Sequence, residues 1–256
     1  MYILNRKAGI FPRILVAAIF LCVSPLLIAA GPEEEEEEEE SFGTFAGSAL
    51  IASDYMFRSI SNSNLRPQVQ VDFNWSHDFG IYMGVWASNT DFGGTGNSME
   101  IDPYIGFTRD IGDSNFSFDI GYWSYNYPGS PLSLNYAEAY GYLNYANDKL
   151  SISPSIWWTD NYFGDDFLGS VSATAYEVTI GYELGQGFTP SFRVGQQTFG
   201  SGYDNLDFMY WDIGMDYAHD EWTVGLRWYD TDGVDPFLAN PKLADGEVVF
   251  GVTRSF

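Results

Sequence analysis

The sequence predicts an all-β fold, a single transmembrane antiparallel β-barrel of twelve strands. Three observations point to it. Segments of roughly ten residues alternate apolar and polar side chains, as a strand does when its two faces meet different media. The connections between them alternate strictly between short turns and long loops, the pattern of barrels with short periplasmic turns and long extracellular loops. The chain also stops at the end of a strand-like run, EVVFGVTRSF, on the large apolar Phe256.

The folded part is preceded by two other segments. Ile14 to Ala30 is a long apolar run, with Arg6, Lys7 and Arg13 before it and Ala29, Ala30 and Gly31 at its end. That order predicts a secretory signal peptide over residues 1–30, with the cut left open. Ser24 and Pro25 within the run oppose a stable spanning helix. Cys22 is the only cysteine and follows Leu21, which is too large for a lipoprotein cleavage site. The exported chain is therefore expected to hold no disulfide. Residues 31–41 form an acidic spacer containing Glu33 to Glu40, a charge block expected to stay solvated and disordered. The barrel occupies residues 42–256.

Charge excludes one class of partner. Removing Arg6, Lys7 and Arg13 with the signal lowers the basic residues from 11 to 8, against 35 acidic ones. A polyanion repels nucleic acid, so no nucleic-acid role is expected. There is no basic patch for an anionic lipid surface either.

Twelve strands are read at Thr44–Phe57, Gln68–His77, Ile81–Ser88, Met99–Arg109, Asn115–Tyr125 and Asn135–Tyr145, then Leu150–Thr159, Ala173–Leu184, Phe188–Gln197, Asp207–Tyr217, Trp222–Tyr229 and Glu247–Phe256. Short turns carry DFG, DIGDS, NDK, GQG and HDE. The long links include RSISNSNLRP after the first strand and DTDGVDPFLANPKLADG before the last. In EIDPYIGFTR, Ile101, Pro103, Ile105 and Phe107 share one face, while Glu100, Asp102, Tyr104 and Gly106 share the other. DFMYWDIGMDY and TAYEVTIGYEL divide in the same way. A soluble sandwich also alternates, but its solvent face usually carries Lys, Glu and Thr. Here the apolar faces end in aromatics, and the opposite faces mix acids with Gly and Tyr.

In a bilayer every backbone N–H and C=O must be bonded within the protein, so the first and last strands must pair. The last strand is then structural to its final residue. Val248, Phe250, Val252 and Phe256 alternate outward, with Phe256 near the periplasmic rim. This ending resembles the C-terminal signature by which outer-membrane barrels are recognised by the barrel assembly machinery. Arg254 departs from that signature, since a hydrophobic residue is usual there; near the interface it can snorkel.

A more specific resemblance lies in residues 48–92. SDYMFRSIS (Ser53–Ser61), RPQVQ and GVWASN (Gly84–Asn89) resemble the opening of the TorF family of porins, also called the Gcw_chp group. Ser59 stands where that family carries Gly after the FR pair. The resemblance runs over nearly the whole exported chain, with its specific motifs in the first third. It implies a porin-type barrel in the bacterial outer membrane; separately, the partners expected for the chain are outer-membrane lipid and lipopolysaccharide, the barrel assembly machinery and small solutes. It implies no catalytic residue, no cofactor and no particular substrate.

Strand register allows a prediction about the lumen. A loop centred near Gly202–Tyr203 sets Arg193 opposite Asp212, and a turn centred near His219–Asp220 sets Asp212 opposite Arg227. Asp54, Asp72, Glu100, Asp102, Asp119, Glu138, Glu177 and Asp216 are placed on the remaining pore wall. A basic ladder facing acids makes a transverse field that can orient hydrated or zwitterionic solutes. It can equally be a structural network filling the lumen, since buried charges must pair. Tyr82, Trp86, Trp123, Tyr136, Tyr140, Tyr142 and Tyr210 also have inward parity. They form either a stacking track for sugars or nucleosides, or simple filling. Barrels of about eight strands are packed solid, whereas those of about 16–18 hold an aqueous channel, and twelve lies between.

DTDGVD (Asp230–Asp235) with Asp165 and Asp166 is acidic enough to gather divalent ions, but its spacing falls short of an EF-hand loop. His77 and His219 are the only histidines, both at short turns, and no serine elbow surrounds them, so no enzyme is expected. The leading functional expectation is a channel for passive diffusion of small solutes, preferring cations. The alternative is a closed barrel with a structural or surface-binding role. The oligomeric state is not legible.

Overall fold

A computed structural model describes residues 42–256; the expected signal peptide and acidic spacer lie outside them. Twelve strands close into one antiparallel barrel: β1 (Thr44–Ala52), β4 (Gln68–Ser76), β5 (Ile81–Asn89), β6 (Met99–Asp110), β7 (Phe116–Tyr125), β8 (Tyr136–Ala146), β9 (Leu150–Thr159), β10 (Ala173–Tyr182), β11 (Phe188–Phe199), β12 (Phe208–His219), β13 (Trp222–Asp232) and β14 (Glu247–Ser255). Two further strands, β2 (Met56–Phe57) and β3 (Ile60–Ser61), form a separate hairpin between β1 and β4. One turn of helix, α1 (Pro241–Ala244), precedes β14.

The seam between β1 and β14 closes the wall. Ser48 pairs with Ser255 and Ala52 with Gly251. One residue further, Phe256 N–H donates to Gly47 O at 3.0 Å and Gly47 N–H donates to Phe256 O at 2.9 Å. The last residue thus completes the ladder through its backbone. Its ring lies over Gly47, where an added Cβ would collide with it.

The outer face is predominantly apolar. Ile51, Val71, Ile120, Ile213, Leu226 and Phe250 are exposed, whereas their strand neighbours Leu50, Asp119, Asp212 and Val249 are buried. That inversion of the usual burial rule fits a protein whose solvent on the outside is hydrocarbon. Aromatics ring the short-turn end, with Tyr182, Phe188, Tyr217 and Trp222 all exposed there. Arg254 also faces outward, and its guanidinium sits 5.6 Å from the Trp222 ring centroid, which gives the departing cation of the last strand a π-face.

The expected first strand is the one large departure. It ends at Ala52 rather than Phe57. The chain then leaves the wall and turns into the barrel as the β2–β3 hairpin. Its two central residues, Arg58 and Ser59, have φ of 47° and 61°. A type I′ hairpin turn, whose twist matches its strands, has positive φ at both positions. Glycine is the default residue for that conformation, and Ser59 adopts it here.

On the inner face, tyrosines lie flat across glycines of the neighbouring strand. Tyr104 faces Gly84 and Tyr82 faces Gly106. Tyr140 faces Gly121, and Tyr210 faces Gly195. A Cβ at any of these glycines would collide with the facing tyrosine. The missing side chain therefore makes room for a ring to pack along the wall.

The two kinds of glycine predict different mutational outcomes. Gly195→Ala should lose about 1–3 kcal/mol through overpacking against Tyr210. Gly141→Ala, on the outer face with only ordinary contacts from Ile120 and Ile156, should be neutral or gain about 0.4–1 kcal/mol. Urea unfolding followed by the loss of heat-shifted gel mobility compares them; equal losses would reject the packing account.

Candidate pore lumen

The inner wall divides into two sectors. From β4 to β8 it carries acids held by aromatic and amide donors. Asp72 accepts from Tyr104 OH at 2.9 Å and Asn74 Nδ2 at 2.7 Å. Tyr82 OH donates to Asp119 at 2.6 Å. Trp123 Nε1 and the Asn126 N–H donate to Asp102 at 3.0 and 3.1 Å. Tyr127 OH donates to Glu100 at 3.0 Å. These donors are neutral, so they orient the carboxyl groups without supplying a countercharge. The rings also stack on one another: Tyr104 on Trp123 at 4.4 Å and Tyr125 on Tyr136 at 4.4 Å. Much of the inward aromatic surface is thus taken up by its own neighbours.

From β10 to β13 the acids meet arginines. Arg193 stands opposite Asp212 in register, and its Nε donates to Asp212 at 2.6 Å. Arg193 Nη1 reaches Glu177 at 3.4 Å, and Glu177 also accepts from Tyr210 OH at 2.9 Å. Arg227 differs from the expected register. It stands opposite Gly214, while Asp212 faces Tyr229. The turn after β12 holds only Asp220 and Glu221, with His219 paired to Trp222, so its centre lies one residue later than the sequence reading placed it. Parity is unchanged by the two-residue slip. Arg227 reaches diagonally instead, donating from Nη1 to Asp212 at 2.6 Å and from Nη2 to Asp216 at 3.2 Å and Ser191 at 2.6 Å. The ladder is therefore made of side-chain reach at one step and of direct pairing at the other.

Two expected wall residues have other surroundings. Asp54 is not on the wall, because β1 ends before it. Its Oδ1 accepts from the Tyr55 N–H at 2.7 Å, Ser61 Oγ at 2.8 Å and Ser63 Oγ at 2.5 Å, tying the ends of the β2–β3 hairpin together. Glu138 is on β8 and fully buried, and it holds Arg58. Arg58 Nη2 donates to both Glu138 oxygens at 2.8 Å, Nη1 donates to Gln197 at 2.6 Å, and Tyr125 OH donates to Glu138 at 2.9 Å. Sequence reasoning placed Arg58 in a surface loop. Asp54, Ser61 and Ser63, a carboxylate with hydroxyls spaced to close a short hairpin, signal the turn but not where Arg58 docks.

Below the hairpin lies a cavity of about 410 Å³. Its lining runs from the short-turn residues Asn147, Lys149 and Gly187 past Arg227 and Arg193 up to Tyr55, Met56 and Arg58. Small residues on one side leave this space: Ser151, Thr179, Gly181, Thr189, Gly225 and Thr253. Above the hairpin, an apolar cluster including Tyr127, Leu134, Tyr162, Leu168, Phe199 and Leu206 fills the long-loop end, with Phe57 and Ile60 packed against it.

The acidic loops are tied locally. Asp165 accepts from Asn161 and Ser170, and Asp166 from the Ser133 N–H. Among the described residues no three His, Cys, Asp or Glu side chains gather as a metal site. Asp91 is held below the usual carboxylate range, chiefly by the Gly93 N–H and also by Asn64 and Arg66. His77 accepts from the Phe79 N–H, and His219 lies 3.7 Å from Asp220 on a different turn. Neither arrangement pairs a nucleophile with a base.

Residues 36–256 match a family described as a bacterial protein of unknown function, Gcw_chp. Among solved structures, the chain is similar to the KdgM porin, with a TM-score of 0.57 at 11% identity over 82% of this chain and 99% of that one. A KdgM porin in complex with disordered oligogalacturonate gives 0.55 at 9% identity, covering 83% and 98%. The NanC porin gives 0.54 at 10% identity, covering 83% and 99%. At such identities the likeness is one of fold. No curated protein matches the chain.

Asp212 joins both arginines, so its removal should be felt by both. Asp212→Ala should destabilise the barrel toward the lower end of about 3–5 kcal/mol, because Glu177 and Asp216 still engage Arg193 and Arg227. Denaturant unfolding of the refolded protein measures it, and a loss under about 0.5 kcal/mol, as for an exposed pair, would show the ladder to be solvated.

Proposed function

The chain belongs to the Gcw_chp family, and on that premise we propose that it is a channel of the bacterial outer membrane for passive diffusion of small solutes, preferring cations. The observation that carries this reading is the combination of an apolar jacket with a charged interior around a cavity of about 410 Å³. A barrel that served only as an anchor would have no need of so many lumen carboxylates. Those on β4, β6 and β7 face no arginine or lysine partner, and rings of carboxylate repel anions. The finer placing among TorF porins belongs to the same proposal, as does Phe256 as the assembly signal and lipopolysaccharide as the surroundings of the long loops. The solved neighbours called porins support the reading through their shared fold. A non-enzymatic role goes with it, since His77 and His219 sit apart on separate turns.

A second reading, a closed barrel acting through its long loops, is favoured by one specific feature: the buried hairpin and the apolar cluster above it.

Current through the refolded protein in a planar bilayer under a KCl gradient tests the first reading. Discrete steps reversing on the cation side are expected, and removing positive charge with Arg193→Ala or Arg227→Ala should strengthen the cation preference. Unchanged conductance and selectivity in both variants would remove these arginines from the pore. An anion-side reversal would reject the cation preference.

A further inference from the structure

We propose that the β2–β3 hairpin is a displaceable plug, latched across the lumen by Arg58 on Glu138, and that its release joins the cavity to the long-loop side. The inference rests on the reading of this barrel as a channel.

The hairpin is a preformed unit. Its internal bonds all lie within residues 54–65: the Asp54 knot with Tyr55, Ser61 and Ser63, the Asn62 N–H to Tyr55 O at 2.6 Å, and the Leu65 N–H to Ser61 Oγ at 2.9 Å. A rigid movement would leave every one of them intact. The hairpin is carried by β1 and β4, next to the seam. Ser53 ties its base to β14, donating its N–H to Phe250 O at 2.9 Å and accepting the Phe250 N–H on Oγ at 3.0 Å.

The loop after β5 holds the hairpin's base, with the Asp91 N–H donating to Asn62 O at 2.8 Å and Asn64 Nδ2 to Asp91 at 3.2 Å, whereas its polar hold on the facing wall is sparse and concentrated at the tip. Arg58 reaches Glu138 on β8 and Gln197 on β11, and Ser59 Oγ donates to Trp211 O on β12 at 3.0 Å. β8 lies five strands from β1 around the wall, so the hairpin spans the lumen rather than lining it. The charged pair at this contact is nearly inaccessible, with Arg58 at 4% and Glu138 at 0% exposure. A permanent filling would be held at least as firmly by apolar side chains, because burying two charges offsets most of their attraction. A pair of charges has one property an apolar contact lacks: it defines a single seated position and loses its hold once water enters. Arg58 also lines the cavity below, so the latch stands at the upper boundary of that cavity.

The test compares three refolded proteins in planar bilayers, each first shown to be folded by heat-shifted gel mobility. They are the wild type, the double variant Arg58→Gln with Glu138→Gln, and a chain in which residues 54–63 are replaced by a short Gly-Ser link. The double variant removes both charges, so no orphaned ion confuses the result. Brief, rare openings are expected from the wild type, an open fraction raised at least about tenfold in the double variant, and continuous conduction after deletion. Equal conduction by wild type and deletion variant would overturn the plug and leave the channel reading standing. Conduction by the deletion variant with no change in the double variant would overturn the latch. Silence from all three folded barrels would overturn the channel reading and the plug with it. If the double variant fails to fold, wild type against deletion still decides whether the hairpin blocks the lumen.

Discussion

Everything in this structure depends on closing the backbone ladder. Hydrocarbon offers no partner to an open strand edge, so each N–H and C=O across the membrane must be bonded within the wall. The seam of β1 with β14 meets that demand, and Phe256 contributes its own N–H and C=O to Gly47. Once the wall is closed, the two faces of every strand have fixed solvents. Branched and aromatic side chains turn outward, and the carboxylates of an acidic chain are confined to the lumen and the loops.

Confinement creates the interior chemistry. A carboxylate facing inward from a wall must find donors there. On one side of the lumen these are tyrosine hydroxyls and indole N–H groups, whose rings need space and take it over facing glycines. On the other side they are Arg193 and Arg227, set among Ser, Thr and Gly. Because one sector is bulky and the other small, the empty volume is off-centre and opens toward the short turns. The hairpin stands between this cavity and the apolar cluster under the long loops.

Much of this was legible in the residues, for a local reason. Side-chain alternation is a property of a single strand, so EIDPYIGFTR and DFMYWDIGMDY declare their two faces without reference to any partner. The pairing of Arg193 with Asp212 was also legible, since the loop between their strands is centred where its Gly and Tyr suggest. Arg227 shows the limit. A two-residue turn holding Asp220 and Glu221 moves the register by two, and turn residues as permissive as His, Asp and Glu do not reveal their centre. The inward face survives such a slip, but the contact is then decided by the length of the side chain.

The sequence by itself determined the number of strands, the sidedness of each and the ends at which turns and loops lie, because these follow from period and length. Only the tertiary structure decided where the segment after Ala52 goes. The run DYMF continues the alternation of the strand before it, and nothing local tells it to leave the wall. What draws it inward lies far along the chain: Glu138 on β8, Gln197 on β11 and the Trp211 carbonyl on β12. Those groups converge only after the barrel has closed, so the position of Arg58 is a consequence of closure that no stretch of its own sequence encodes.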